Sequence, residues 1–151
     1  MRKKAFILTL FLSICIFNTT NLYTDPVHGA SQQTSDVQLL ARCVNGEARG
    51  EPYEGQVAVA AVILNRVTHP SFPNTIAGVI YQPGAFTAVA DGQINVPLDS
   101  SSQVVNACKD AVNGWDPTGG AIYYFNPDTA TNKWIWSRPL LKTIGKHRFC
   151  K

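Results

Sequence analysis

No CxxC pair occurs in the 151 residues, and the three histidines, His28, His69 and His147, stand far apart, so the ligand spacing of a structural zinc site is missing. Neither a metal nor an organic cofactor is expected. The uncharged stretch from Ala5 to Phe17 falls short of the roughly 20 residues that a membrane-spanning helix needs. Charge is sparse, at 15% of residues, with a net balance of +3. Three of those bases are Arg2, Lys3 and Lys4, and without residues 1–30 ten basic side chains face nine acidic ones. Nucleic-acid binding is not expected, because it needs clustered Lys and Arg to displace condensed counterions. There is no internal repeat and no low-complexity tract, and glutamate occurs only at Glu47, Glu51 and Glu54.

The segment MRKKAFILTLFLSICIF has a basic start followed by an apolar run, and polar Asn18, Thr19, Thr20 and Asn21 come next. That layout is a secretory signal peptide, with cleavage placed near the small residues Gly29 and Ala30. Cys15 follows Ile14 rather than a small residue, so lipidation is not expected. The domain reading is a leader over 1–30, a short flexible linker over 31–35 (SQQTS), and one catalytic domain over 36–151. Removal of the leader leaves Cys43, Cys108 and Cys150. An oxidising exterior favours one disulfide, Cys43 with Cys108 because both fall on predicted helices, over three reduced and buried thiols.

Asp36 is placed to cap a helix that presents Val37, Leu40, Ala41 and Val44 on one face and stops at Gly46. Pro52 then opens a helix over 53–67 whose run VAVAAVIL is apolar all round, marking it as the central buried helix. A short helix follows Asn74, and another runs from Ser101 or Ser102 through Val112 to a stop at Gly114. Beyond Pro117 the pattern changes to two aromatic runs of strand character, 122–125 and 134–137, which predict a small sheet or hairpin. Alternation along the first sends Tyr123 and Phe125 to one face and Tyr124 to the other.

Any chemistry that needs a glutamate must draw on the window NGEARGEPYEG. Glu54 falls in the first turn of the buried helix, where a carboxylate is favoured by the helix dipole. Glu51 precedes Pro52 and reads as a loop or helix-entry residue. Glu47 stands at the predicted break beside Gly46, next to an apolar helix able to wall a cleft, the setting in which a carboxyl group serves as proton donor. Asp91 reads first as a turn former before Gly92 and second as a catalytic partner. Phe86 and Tyr124 are the candidates for stacking on sugar rings, and Gln82, Asp91 and Asn126 for hydrogen-bonding sugar hydroxyls and amides.

The stretches GEARGEPYEGQVAVAAVILNRV, GAFTAVADGQIN, NGWDPTGGAIYYFNP, KWIWSRP and IGKHRFCK, in that order, resemble the catalytic domain of the SleB/CwlJ cell wall hydrolase family over residues 36–151. The resemblance implies an α+β fold: a mainly helical, lysozyme-like domain of lytic-transglycosylase type with a small sheet or hairpin in its C-terminal half. It puts the family's essential glutamate on Glu47, with Glu51 the runner-up. The implied activity is cleavage of peptidoglycan glycan strands to 1,6-anhydro-muramic ends, in spore cortex containing muramic δ-lactam, during germination. Also expected are a monomer, export to the cortex, the outer face of the inner membrane or the cell wall, and an accessory protein that holds the enzyme inactive. The peptidoglycan-binding domain that usually precedes this catalytic domain in SleB-type members is not read here.

Other classes stay open at this level. A hydrolytic muramidase or glucosaminidase of vegetative wall would pair two carboxyl groups. A non-catalytic wall-binding spore protein could share the fold. A cysteine peptidase built on Cys150 and His147 has only their proximity in sequence to recommend it.

Overall fold

The computed structural model describes residues 26–151, with side chains from Ala30 onward. The leader reading lies, up to residue 25, outside the described residues. The elements are α1 (Pro26–Ala48), α2 (Tyr53–Thr68), α3 (Ile76–Ile80), α4 (Thr87–Ala90), a single 3₁₀ turn (Gln93–Asn95), α5 (Gln103–Val112), β1 (Tyr123–Phe125), α6 (Lys133–Trp136), β2 (Leu140–Ile144) and β3 (His147–Cys150). This is the expected mainly helical domain with a small C-terminal sheet.

α2 is the centre of the molecule. Pro52 occupies its N-cap position, Glu54 lies in its first turn and Arg66 in its last, and every residue from Gly55 to Ile63 is buried. It packs against α1 and α5, which also pack on each other, and it touches α3, β1 and β2. Leu40, Val44, Val57, Ile63, Val105 and Phe149 form the fully buried heart of the core. The caps differ in detail from those expected. Thr75 accepts a hydrogen bond from Gly78 N at the start of α3, whereas Ser102 occupies the α5 N-cap without a side-chain bond.

Three local expectations need correction. α1 does not begin at Asp36: the SQQTS stretch is helical, with Thr34 Oγ1 donating to Ala30 O at 2.9 Å and Gln32 Nε2 donating to Asp36 Oδ1 at 3.0 Å across one turn. α1 also runs through Gly46 to Ala48, so that this glycine is an interior helical residue. Its bareness serves a close approach, since a Cβ there would lie 2.5 Å from Ala88 Cβ. Residues 133–136, finally, form a helical turn rather than a strand, because Asn132 Oδ1 accepts from Trp134 N at 2.9 Å and starts it.

The sheet is antiparallel throughout, in the order β1-β3-β2, with Tyr124 opposite Phe149 and Thr143 opposite Arg148. Tyr123 and Phe125 meet Trp134 and Trp136 of α6, at 5.1 and 4.9 Å between ring centroids, while Tyr124 turns to His147 and Phe149. The predicted alternation is therefore present.

Cys43, Cys108 and Cys150 are free, at 0, 0 and 1% exposure. This corrects the preference for a Cys43–Cys108 disulfide: all three are absorbed as small apolar side chains. Burial pushes the Cys108 thiol up to about 12 and raises the Cys43 and Cys150 thiols as well. Thiolate is the reactive form, so iodoacetamide should leave these three residues unlabelled in the native protein and label each of them after denaturation. Peptide mapping without reduction checks this, and a linked Cys43–Cys108 peptide would contradict it.

Candidate active site

Glu47 lies in the last turn of α1, one residue after the glycine that lets α4 come close. That approach puts donors around its carboxyl group. Oε1 accepts from Thr87 Oγ1 at 2.7 Å and from Ala88 N at 2.9 Å, and Oε2 accepts from Tyr124 Oη at 3.0 Å. One oxygen is thus anchored to α4 and the other to β1, which fixes the carboxyl plane in a partly buried place. Because a phenol hydroxyl both donates and accepts, the Tyr124 contact survives whether or not Oε2 carries a proton. Burial, then the Glu47 carboxylate, hold the Tyr124 hydroxyl well above the usual phenol range, so it stays protonated.

Glu51 is held differently. Its side chain is 7% exposed, its Oε2 accepts from Lys146 N at 2.9 Å, and its Oε1 lies 3.9 Å from His147 Nδ1. It therefore ties the entrance of α2 to the β2–β3 turn. Gly145 in that turn has φ +56°, and a Cβ there would run into Glu51 Oε2. His147 stands edge-on to Tyr124, with centroids 5.2 Å apart and planes at 86°. Its Nδ1 is buried without a hydrogen-bond partner. Burial lowers the His147 pKa, with Glu51 and Glu47 pulling the other way, which keeps the ring neutral near pH 7.

A groove of about 430 Å³ opens beside this cluster, lined by Arg66, Phe72, Gln82, Tyr123, Tyr124 and Trp134 among others. Of the residues selected from sequence, Gln82 and Tyr124 reach it. Phe86 does not: at 4% exposure it packs in the core beneath the Arg66 guanidinium, 5.4 Å from its ring centre, and has no free face for a sugar. Tyr124 is no stacking platform either, since its hydroxyl points at Glu47 and its ring lies against His147 and Phe149. Asp91 is exposed, and its Oδ1 accepts from Gln93 N at 3.0 Å, the expected turn-forming contact. Asn126 Oδ1 likewise accepts from Asp128 N at 2.9 Å, and neither residue lines the groove.

Sequence reasoning passed over Thr87, Trp134 and Arg66. Nothing in GAFTAV marks Thr87 as a partner of Glu47. Trp134, 49% exposed on the groove wall, belongs to the aromatic cluster already noted, yet only its solvent exposure singles it out. Arg66 had a legible signal, a charged residue ending an apolar helix. A larger cavity of about 600 Å³ lies between α1, α2 and α5, lined by Val37, Leu64 and Val112. No member of the Glu47 cluster borders it. Cys150 and His147 are three apart on β3 and so project from opposite faces, and the Cys150 thiol is buried and protonated, which leaves a cysteine nucleophile without support. Among the described residues no group of three His, Cys, Asp or Glu side chains is placed to hold a metal ion, and no helix is long and apolar enough to cross a membrane.

The family model described as Cell Wall Hydrolase matches residues 50–150. The spore cortex-lytic enzyme of Bacillus cereus is 64% identical over 131 residues, covering 87% of this chain and 49% of that protein. An aligned stretch of that length necessarily includes Glu47. The chain spans about half the length of this curated relative. The crystal structure of the catalytic domain of the Bacillus cereus SleB protein superposes with a TM-score of 0.74 at 67% identity, covering 78% of this chain and 91% of that one. The catalytic domain of a germination-specific lytic transglycosylase, SleB from Bacillus anthracis, gives the same TM-score and identity over 77% and 93%. The chain belongs to the cell wall hydrolase family, and its fold is that of the SleB catalytic domain.

Proposed function

We propose that this chain cleaves the glycan strands of peptidoglycan as a lytic transglycosylase, with Glu47 as its general acid and base. The observation that carries the reading is the Glu47 carboxyl group, oriented by Thr87, Ala88 N and Tyr124 beside an aromatic-lined groove. Protonated Glu47 gives its proton to the glycosidic oxygen as the bond from muramic C1 breaks. The carboxylate then takes the proton of the same residue's 6-hydroxyl, whose oxygen closes on C1. The products are a free hydroxyl on the departing sugar and a 1,6-anhydro-muramic end, and no water is consumed. One carboxyl group serves both steps, as general catalysis allows when the two proton transfers are sequential.

A hydrolase of the common kind needs a second carboxyl group about 5 to 9.5 Å across the scissile bond. The alternatives here are engaged elsewhere: Glu51 is buried under the hairpin, and Asp91 closes its own turn. On the groove wall Trp134, half exposed, offers the ring edge and face that Arg138 leaves open, and Gln82 offers an amide. The related Bacillus proteins named as spore cortex-lytic enzymes support placing the substrate in spore cortex, outside the cytoplasm. Export through the leader over residues 1–30, with the catalytic unit beginning near residue 36, is part of the same reading.

Purified protein freed of its leader should release soluble fragments from cortex peptidoglycan containing muramic δ-lactam, and release them faster than from lactam-free vegetative wall. Equal rates on both would remove the cortex assignment and leave the glycan chemistry standing. No release from either would remove the function.

A further inference from the structure

Arg66 is only 9% exposed, yet no carboxylate pairs with it among the described residues. Its Nε donates to Ile122 O at 2.7 Å. Its guanidinium carbon stands 5.3, 5.4 and 5.7 Å from the ring centres of Phe72, Phe86 and Tyr123. Three π faces compensate part of the lost hydration of a cation, but they accept no N–H bond in its plane. The two terminal amino groups have no acceptor among the described residues, and they are not among the sealed, unpartnered atoms of the interior, so they open on the groove that Arg66 lines. A desolvated guanidinium held rigidly by three rings, with its outer donors unused, is built to receive an oxygen acceptor of planar acyl geometry.

Tyr124 connects this cation to the chemistry, because it lines the same groove and donates to Glu47. A glycan that reaches Glu47 across Tyr124 enters the groove that Arg66 lines. Glycan strands of peptidoglycan alternate two amino sugars, and what distinguishes the muramyl one is the acyl group of its 3-O-lactyl arm. We propose that Arg66 is the residue that reads this arm, donating from its amino groups to the lactyl acyl oxygen and so selecting which sugar is presented to Glu47. The ligand chemistry is the same whether that oxygen belongs to a free carboxylate, to the amide of a stem peptide or to a cyclised lactam. The inference rests on the glycan-cleaving reading and adds its source of specificity.

The test uses Glu47→Gln protein, which binds without turnover. Guanidinium resonances of Arg66 are followed by NMR during titration with muramyl tetrasaccharides bearing each of the three acyl forms, and with a chito-tetrasaccharide that has no lactyl arm. The muramyl ligands should move the Arg66 signals and the chito-oligosaccharide should not, and the acyl form giving the largest movement identifies the source. Arg66→Lys in the same background keeps the charge but loses the fork, and should weaken muramyl binding about tenfold while leaving chito-oligosaccharide binding nearly unchanged. Muramyl glycan that binds with Arg66 unmoved overturns the proposal by itself, as does a Lys variant that weakens both ligand types equally. The resonance measurement needs no Arg66 variant and so survives one that fails to fold. Absence of binding by every glycan overturns the cleavage reading together with this one.

Discussion

Replacing Glu47 by glutamine should lower the rate of glycan cleavage by about 10² to 10⁴ while leaving the fold and wall binding in place. The amide is nearly isosteric with the acid, and its oxygen can still accept from Thr87 and Ala88 N as Oε1 does now. What disappears is the proton that the leaving oxygen requires. The matched control is Glu51→Gln. Its carboxylate holds Lys146 N and faces His147, so the variant should lose thermal stability and keep most of its cleavage rate. Fragment release and melting temperature measured on both proteins decide between the two glutamates. A dead Glu51→Gln protein beside an active Glu47→Gln protein would transfer the role of acid to Glu51.

The second large effect is expected at Gly46. In an ordinary helix interior, glycine to alanine gains about 0.5 to 1 kcal/mol from backbone entropy. Here the new methyl group would meet Ala88 Cβ at 2.5 Å and Ala88 Cα at 3.3 Å, and neither neighbour is a flexible side-chain end that could swing aside. Overpacking of this kind costs about 1 to 3 kcal/mol, so the clash should outweigh the propensity gain. Relief comes by moving α4 away from α1, and that motion takes Thr87 and Ala88 N off Glu47 Oε1. A displacement of about 1 Å at such a group lowers a rate by up to about a hundredfold. Gly46→Ala should therefore melt earlier and cleave ten- to a hundredfold more slowly, about in line with that displacement. Wild-type rate and stability would show that the α1–α4 contact has slack.

Part of the candidate site is legible in the sequence. All glutamates fall in one window, and the helix-dipole reading of Glu54 and the apolar run of α2 drew attention to Glu47 beside a low-polarity wall. The resemblance then pointed to the same residue. The helical core and the small sheet followed from periodicity and turn residues. What stayed hidden depends on contacts between segments far apart in sequence. Glu47 meets Thr87 and Tyr124 across 40 and 77 residues, and no local pattern encodes either pairing. Gly46 looked like a helix stop because glycine usually is one, whereas here it serves the approach of α4. Phe86 looked available for sugars because burial of a single aromatic in a loop-rich segment has no periodic signature, and it lies instead under Arg66. Residues 134–137 carried β-forming aromatics, and one capping asparagine overrode them. The disulfide was inferred from compartment alone, and the three thiols proved to be core packing.

The most direct test of the account is the chemistry of the new end. The leader-free protein is incubated with purified cortex glycan in water labelled with heavy oxygen, and the released fragments are weighed by mass spectrometry. If Glu47 serves both proton transfers and the 6-hydroxyl is the attacking group, the fragments end in 1,6-anhydro-muramic acid, one water lighter than hydrolytic products, and carry no label. Reducing ends that contain the heavy oxygen would contradict the account and require a second carboxylate, with Asp91 the first to examine, to activate water.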